Sequence, residues 1–185
     1  MYNINFYKNY IFIEQLNSLN YKFKNLKKIN IIYYQNPINF NLYEYNKIYL
    51  WCKSKKVKLF IIDNYKLAIK YKASGIFITG KNRIQIFSKF FKNNFEIIGS
   101  AHNQIEYFFK IRQNCDLIML SPIFNNAKYS PNKLLNIQKF NLISKNWIKN
   151  LCALGGINLD NVRRIQSTKV KNIAYNRAIK NPPTN

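Results

Sequence analysis

Short apolar runs alternate along this chain with longer amphipathic stretches, and this alternation limits the possible folds more than any other feature. Eight runs are rich in Ile, Leu, Phe and Tyr and have the length of buried strands. They lie at residues 9–13, 29–34, 58–62, 75–78, 95–98, 116–120, 150–154 and 171–175. Eight strands separated by helices favour a (β/α)8 TIM barrel, an α/β fold. An open doubly wound sheet is the alternative, although no GxGxxG run follows the first strand.

The stretches between the strands have the apolar spacing of helices. Helices are predicted at residues 14–26, 42–55, 64–72, from Asn82 onward, and at 103–114, 134–145 and 158–167, the last capped by Asn158. The chain of 185 residues is shorter than the roughly 200 residues of the smallest usual barrels. We therefore expect a single domain over residues 1–185, with a truncated or missing last helix.

The net charge of +23 suggests a polyanionic partner, but its distribution argues against a dedicated one. The lysines are scattered among Asn, Ile and Tyr, and no block of five or six consecutive basic residues occurs. We expect nonspecific, salt-dependent attraction to polyanions and no specific nucleic-acid partner.

The remaining composition favours a cytoplasmic protein without a membrane partner. Cys52, Cys115 and Cys152 are spread singly, which suggests neither a disulfide framework nor a zinc site. No apolar run approaches the roughly 18 residues that span a bilayer, and the N-terminus lacks a signal-peptide pattern.

The only histidine, His102, ends the apolar run FEIIGSAHN. Gly99 and Ser100 are interpreted as the exit turn of the strand, and Asn103 as the N-cap of the next helix. His102 then lies at the carboxyl end of a strand, where parallel α/β proteins bind ligands, and is the first candidate for acid/base chemistry. The alternative is a histidine that only orients its loop.

The pair Gly155 and Gly156 follows the run LCAL. Glycines let the backbone approach a ligand closely, and we expect their amides to lie at the start of the next helix, where barrels of this type commonly hold a phosphate. Arg177, just after the eighth strand, would add a cation to the same corner. A tight turn explains two adjacent glycines equally well.

Five motifs in register resemble the thiamine phosphate synthase and TenI family. They are FIIDNYKLAIKYKASGIFITG, IIGSAHN, DLIMLSPIFNNAK, LCALGGINLDNV and KNIAYNRAI, within residues 57–179. The resemblance implies a (β/α)8 barrel. It further implies one of two activities on a phosphorylated thiazole: synthases join it to a hydroxymethylpyrimidine pyrophosphate, and TenI-like relatives isomerise a thiazole carboxylate phosphate.

The departures from the synthase motifs remove most magnesium ligands. The Asn-Asp pair after strand 3 is inverted to Asp63 and Asn64, and the Gly-Gln-Glu-Asp run after strand 4 reads Gly80, Lys81, Asn82. Asp63 is thus predicted to be the one carboxylate at the mouth of the barrel, with Asn82 as its partner if Mg²⁺ is bound. The Pro-Thr-x-Thr-Lys loop is shortened and retains only its lysine, Lys128.

The surviving residues are Ser100, His102, Lys128, Gly155 and Gly156, with Arg177 nearby. This set favours a thiazole tautomerase in which His102 moves the proton and no cofactor is required. A synthase that uses Mg²⁺ is the alternative, and Asp63 and Asn82 within a metal's reach of one another would favour it. A noncatalytic relative that binds a phosphate ester is the third hypothesis. The sequence leaves open whether a homodimer forms in which a partner chain covers the short end of the barrel.

Overall fold

Eight parallel strands close into a barrel, each paired with the next along the chain and the last with the first. The computed structural model describes residues 7–19, 28–34, 40–84, 95–124, 134–147, 150–158 and 160–176. The strands are β1 (Lys8–Ile13), β2 (Ile29–Tyr33), β3 (Lys58–Ile62), β4 (Gly75–Ile78), β5 (Glu96–Ala101), β6 (Leu117–Leu120), β7 (Asn150–Leu154) and β8 (Asn172–Tyr175). The predicted TIM barrel is confirmed, and the open sheet is excluded.

The end of β5 differs from the sequence-based prediction. Gly99 and Ser100 were expected in an exit turn, but they pair with Ile118 and Met119 of β6, and β5 continues to Ala101. Glycine and serine are common turn residues, yet here the hydrogen bonding of the neighbouring strand decides their conformation.

Four α-helices lie in the described ranges: α1 (Leu42–Ser54), α2 (Tyr65–Lys70), α3 (Gln104–Arg112) and α4 (Asn136–Ser144). Each agrees with a predicted helix to within a few residues. Asn41, Asn64 and Asn103 cap the first three, because each side-chain oxygen accepts a hydrogen bond from a backbone N–H of the first turn. None of the helices in these ranges has the length and apolar character needed to cross a membrane.

Three other helix predictions have different outcomes. The α-helix predicted at residues 158–167 is wrong in type, because a 3₁₀ helix spans Val162–Ser167. Asn158 does not cap this helix: its side chain closes a turn by accepting from the N–H groups of Asp160 and Asn161. Of the one at 14–26, the described part holds a 3₁₀ turn at Leu16–Ser18. The helix predicted from Asn82 does not begin by residue 84, and the rest of that prediction lies outside the described residues. The prediction of a truncated or missing last helix also concerns residues outside the described ranges.

Alternate residues of each strand contribute to two hydrophobic layers. One layer fills the barrel and includes Phe60, Phe77, Ile98 and Met119, while the other packs between the strands and the helices. Because side chains alternate along a strand, Ser100, two residues beyond Ile98, points into the upper end of the barrel interior and is buried. All three cysteines are buried.

Candidate active site at the carboxyl ends of the strands

The carboxyl ends of β3, β4, β5 and β7 meet at one mouth of the barrel. The structure places Asp63 after β3, residues 79–82 after β4, Ser100 and His102 at the end of β5, and Gly155 with Gly156 after β7. Lys128 and Arg177 lie outside the described residues, so their predicted places at this mouth stay predictions. The imidazole of His102, the carboxylate of Asp63 with the loop after β4, and the glycine turn after β7 therefore lie at the same end of the barrel.

His102 forms a close pair with Glu106 of α3. The Nδ1 atom of His102 lies 2.8 Å from Oε2 of Glu106, and the backbone N–H of His102 donates to the same oxygen at 2.9 Å. The His102 side chain is 34% exposed and that of Glu106 16%, so the pair lies at the boundary between protein and solvent. The carboxylate thus holds both the backbone and the ring of His102.

The charge of Glu106 determines which ring nitrogen carries the proton. Burial raises the pKa of Glu106, but hydrogen bonds from the His102 ring and backbone N–H, together with the positive charge of Arg83, lower it to below its ordinary value. An ionised carboxylate only accepts hydrogen bonds, so Nδ1 of His102 must be the donor. In the neutral ring, Nε2 is then the basic nitrogen, as general base chemistry requires.

The start of α3 explains why these two residues meet. The Asn103 side chain accepts from the N–H of Glu106 at 2.9 Å, which begins the helix immediately after His102. The third residue of such a helix can turn its side chain back toward the residues before the cap, as in a capping box. Here Glu106 does so and reaches His102. The prediction that Asp63 is the one carboxylate at the mouth is therefore wrong, because Glu106, although it lies on α3, turns its side chain back to His102.

Gly80, after β4, lies against the pair. A β-carbon at Gly80 would be 2.5 Å from Oε2 of Glu106 and 3.0 Å from Nδ1 of His102. Real contacts of a β-carbon do not approach 2.5 Å, so only glycine fits here without displacing the pair. The β4 loop thus forms one wall of the histidine site.

Asp63 is occupied by hydrogen bonds from the same β4 loop. Its Oδ1 atom accepts from the Thr79 N–H at 2.9 Å and from Nδ2 of Asn82 at 2.8 Å, and its Oδ2 atom accepts from the Thr79 hydroxyl at 2.6 Å. Asp63 adopts a φ of +49°, a left-handed conformation that aspartate tolerates better than most residues. The carboxylate therefore braces the loop.

These residues do not fit a magnesium ion as they are arranged. Asp63 and Asn82 are close enough to share a metal, but Asn82 presents its NH₂ group to the carboxylate, and its oxygen accepts from the N–H of Ile84 at 2.9 Å. If the Asn82 amide were reversed, its oxygen would face the Asp63 carboxylate and its NH₂ group would face the Ile84 N–H, and both contacts would be repulsive. Mg²⁺ needs oxygen ligands. In the described residues, no group of three or more His, Cys, Asp or Glu side chains forms a metal cluster.

A buried lysine supports the β4 loop from below. Nζ of Lys110 donates to the backbone carbonyls of Thr79 and Asn82 at 2.7 and 2.9 Å and to Oε1 of Gln113 at 2.8 Å. Burial is the main cause that lowers the pKa of Lys110, to about 8. Gly99 makes room for its stem, since a β-carbon there would be 2.7 Å from Cδ of Lys110. Lys110 therefore fixes the loop that walls the histidine site.

The Gly155 and Gly156 turn is built differently from the prediction. Their φ angles are +96° and +68°, which favour glycine. A β-carbon at Gly155 would be 2.8 Å from Cα of Pro122, so this glycine serves close packing. The amides were expected at a helix start, but the 3₁₀ helix begins only at Val162, and the Gly156 carbonyl accepts from Asn161 instead. A phosphate site here would depend on the turn's own N–H groups and not on a helix dipole.

Sequence reasoning missed three residues of the site: Glu106, Gly80 and Lys110. The first could have been found from the spacing Asn103-x-x-Glu106, which is a helix-start signal directly after His102. Lys110 lies four residues after Glu106, in the helix whose other buried residue is Tyr107. The contact of Gly80 joins residues that are distant in sequence and has no local signal.

Comparison with known proteins gives one consistent result. A family model described as thiamine monophosphate synthase matches residues 41–179. A thiamine-phosphate synthase of Prochlorococcus marinus is 29% identical over 147 residues, which are 78% of this chain and 42% of that protein. The chain thus spans less than half the length of this curated relative.

Solved structures show the same fold at low identity. A thiamine phosphate pyrophosphorylase from Pyrococcus furiosus matches with a TM-score of 0.70 and 17% identity, over 94% of this chain and 87% of that one. The corresponding enzyme from Bacteroides thetaiotaomicron gives a TM-score of 0.53 and 15% identity, over 93% and 83%. A structure described as native KDPGal matches with a TM-score of 0.61 and 8% identity, over 96% of this chain and 86% of that one. At these identities the structures support the barrel fold only.

Proposed function

Because the chain belongs to the thiamine monophosphate synthase family, we propose that it acts on a phosphorylated thiazole as a TenI-like thiazole tautomerase. The observation that supports this proposal is the His102 and Glu106 pair, with 2.8 Å between Nδ1 and Oε2. It makes Nε2 the basic nitrogen of the only histidine in the chain. A tautomerisation needs a group that removes a proton from one position of the ring and returns it to another, and it needs no co-reactant.

In this proposal each residue of the mouth has a separate task. His102 carries the proton, and Glu106 holds the ring and stabilises the imidazolium that forms when Nε2 is protonated. Gly80 leaves space for the pair, and Ser100 lines the bottom of the mouth. The Gly155 and Gly156 turn binds the substrate phosphate, with Lys128 and Arg177 as its predicted cations.

A synthase is the second candidate, and one observation favours it: Nδ2 of Asn82 lies 2.8 Å from Oδ1 of Asp63. That proximity meets the geometric criterion for a synthase. The chemistry of the contact opposes it, because Asn82 donates to Asp63 and Thr79 also donates to both carboxylate oxygens. A synthase would require this loop to reorganise before it held Mg²⁺, and its second substrate would be a pyrimidine pyrophosphate.

The test is to incubate the purified protein with each substrate set, with and without a chelator. One set is a thiazole carboxylate phosphate alone, and the other is a thiazole phosphate with hydroxymethylpyrimidine pyrophosphate; product mass and ring absorbance report conversion. We expect isomerisation that the chelator does not affect. Formation of thiamine phosphate that stops on chelation would instead identify a synthase. Binding of a thiazole phosphate without any conversion would identify a noncatalytic relative.

His102→Gln tests the role of the histidine. A general acid/base group typically contributes about 10² to 10⁴ in rate, so we expect turnover to fall by that order while substrate affinity stays within a few fold. Thermal unfolding of the variant controls for its fold. Turnover that tolerates the glutamine would contradict the tautomerase proposal.

The phosphate site is tested at Gly156. A bulky side chain, as in Gly156→Leu, should weaken binding of a thiazole phosphate about tenfold or more by blocking the turn. Gly156→Asn is the matched variant, since asparagine tolerates the left-handed backbone and separates a steric effect from backbone strain. If both variants bind the thiazole phosphate as the parent chain does, the phosphate lies elsewhere.

A further inference from the structure

A cavity of about 1080 Å³ opens at the amino-terminal ends of the strands, opposite the mouth. Its lining comes from residues that precede or open β1, β2, β3, β7 and β8, together with the end of α4. These five strands are neighbours in the closed barrel, so the cavity occupies one continuous arc of this end. It is distinct from the mouth that carries His102.

The lining of this cavity is strongly basic. Seven of the sixteen described residues that line it are lysines, whereas Lys and Arg together make up 30 of the 185 residues of the chain. Lys8 and Lys58 open strands, and Lys145 directly follows α4. The other four lie just before strands: Lys28, Lys56, Lys169 and Lys171. Lysines that are scattered in sequence are therefore concentrated in space, because the barrel brings the starts of its strands together.

Among the described residues that line the cavity, none is acidic. At this end, the described carboxylates are Glu96, which opens β5, and Asp116, which precedes β6, and neither is among the described residues that line the cavity. Glu96 pairs with Lys58, and Asp116 accepts from the N–H of Ile97. The positive charge of the other cavity lysines is thus not neutralised by the acids nearest to it.

We propose that this cavity binds a linear polyphosphate anion, either free or as the triphosphate of a nucleotide. Lysine ammonium groups are compact charges with three donors each, and they bind phosphate oxygens well. A concave site of this volume is at the upper end of the size range of small-ligand pockets, which favours a small anion over an extended nucleic acid. Neutral polar side chains complete the lining. The amide of Asn150 is exposed there, and Asn141, which donates one amide hydrogen to the Ser167 carbonyl, has a second one to offer.

The experiment is a calorimetric titration of the full chain with inorganic triphosphate and, separately, with ATP, at fixed ionic strength. The cavity variant carries Lys145→Gln, Lys169→Gln and Lys171→Gln. The control variant carries Lys47→Gln, Lys66→Gln and Lys139→Gln on the exposed faces of α1, α2 and α4, and so has the same net charge. Circular dichroism checks both folds, and Lys28→Gln with Lys56→Gln replaces the cavity variant if it fails to fold.

We expect triphosphate to bind the parent chain and the control variant within about twofold of each other. An exposed ion pair changes an equilibrium by up to about fivefold, so loss of three should weaken binding about tenfold or more in the cavity variant. Comparable affinity of ATP and triphosphate indicates that the phosphates alone are recognised, while tighter ATP binding that the cavity variant weakens identifies a nucleotide as the source.

Four results would overturn the proposal. Equal weakening in both variants would show only the attraction of net charge, and undetectable binding of triphosphate and of ATP would leave no site. Displacement of triphosphate by a thiazole phosphate would place it at the mouth. Cavity-dependent binding of a short single-stranded oligonucleotide, without binding of triphosphate, would identify a nucleic-acid surface instead.

Discussion

Replacing Glu106 with glutamine tests whether this residue sets the protonation of His102. Oε2 of Glu106 accepts from both the ring and the backbone N–H of His102. Glutamine preserves the size of the side chain and can offer one carbonyl oxygen in the same place, but it removes the charge. We therefore expect the ring to lose part of its preference for a proton on Nδ1, while the backbone around His102 stays in place.

The magnitude follows from the kind of hydrogen bond that is changed. A hydrogen bond to a charged group contributes about 1.5–3 kcal/mol and one between neutral groups about 0.5–1.5 kcal/mol. The His102 side chain is 34% exposed, so solvent screening favours the lower end of the difference, about 1 kcal/mol. This corresponds to about a fivefold change in the ratio of the two neutral tautomers. Turnover should fall by about five- to tenfold, with affinity for the thiazole phosphate nearly unchanged.

Nitrogen NMR of the imidazole measures the tautomer directly. Since the chain contains one histidine, the two ring signals require no assignment between residues. Glu44→Gln is the matched control: Glu44 is also the third residue of an Asn-capped helix, and it accepts the backbone N–H of Leu16. The reasoning is refuted if Glu106→Gln leaves the tautomer ratio unchanged, or if the control changes it equally.

Two further substitutions test the loop around the pair. Gly80→Ala should lower turnover by about tenfold with a smaller effect on folding, because the new methyl group would displace Glu106 or His102; kinetics and thermal unfolding of one preparation compare the two. Lys110→Met should lower the free energy of unfolding at pH 7 by about 1–3 kcal/mol, since its buried acceptors lose their donor. The folded chain holds the Lys110 proton less tightly than the unfolded chain, because burial lowers its pKa to about 8. Between about pH 8 and pH 10, denaturant titrations should therefore show the parent chain gaining stability relative to Lys110→Met, by at most about 1.4 kcal/mol per pH unit; a constant difference would contradict the lowered pKa.

The barrel could be predicted from the sequence because its strands are buried on both faces. Such strands appear as short continuous apolar runs, and eight of them in one chain leave few alternatives. Asn103 marked the start of α3 for an equally local reason, because its side chain caps that helix. Local signals failed at Gly99 and Ser100, where pairing with β6 extends the strand. They also failed at residues 158–167, where the Asn158 turn precedes a short 3₁₀ helix.

The candidate site was predictable only in part. His102 was identified by its uniqueness and its position after a strand, both of which the sequence displays. Glu106 was missed because a glutamate on a helix is usually a solvated residue, and only its position at the helix start turns it back toward His102. Lys110 was missed because its acceptors are the carbonyls of Thr79 and Asn82, about thirty residues earlier in the chain. Contacts of this kind depend on tertiary structure.

The loop after β4 carries both the positions of the lost metal ligands and one wall of the histidine site. The synthase run Gly-Gln-Glu-Asp after strand 4 reads Gly80, Lys81, Asn82 here, so the glycine is retained and the acidic residues are lost. The side chain of Asn82 donates to Asp63, and the backbone carbonyl of Asn82 accepts from Lys110. The negative charge of Asp63 therefore lies in a hydrogen-bond network that already contains a buried cation, the Lys110 ammonium group. Gly80 makes room for Glu106 against the same loop. The synthase run also begins with glycine, so the space at Gly80 is common to both motifs. What differs in this chain is Asn82, whose side-chain amide donates to Asp63 where an acidic run would offer metal ligands.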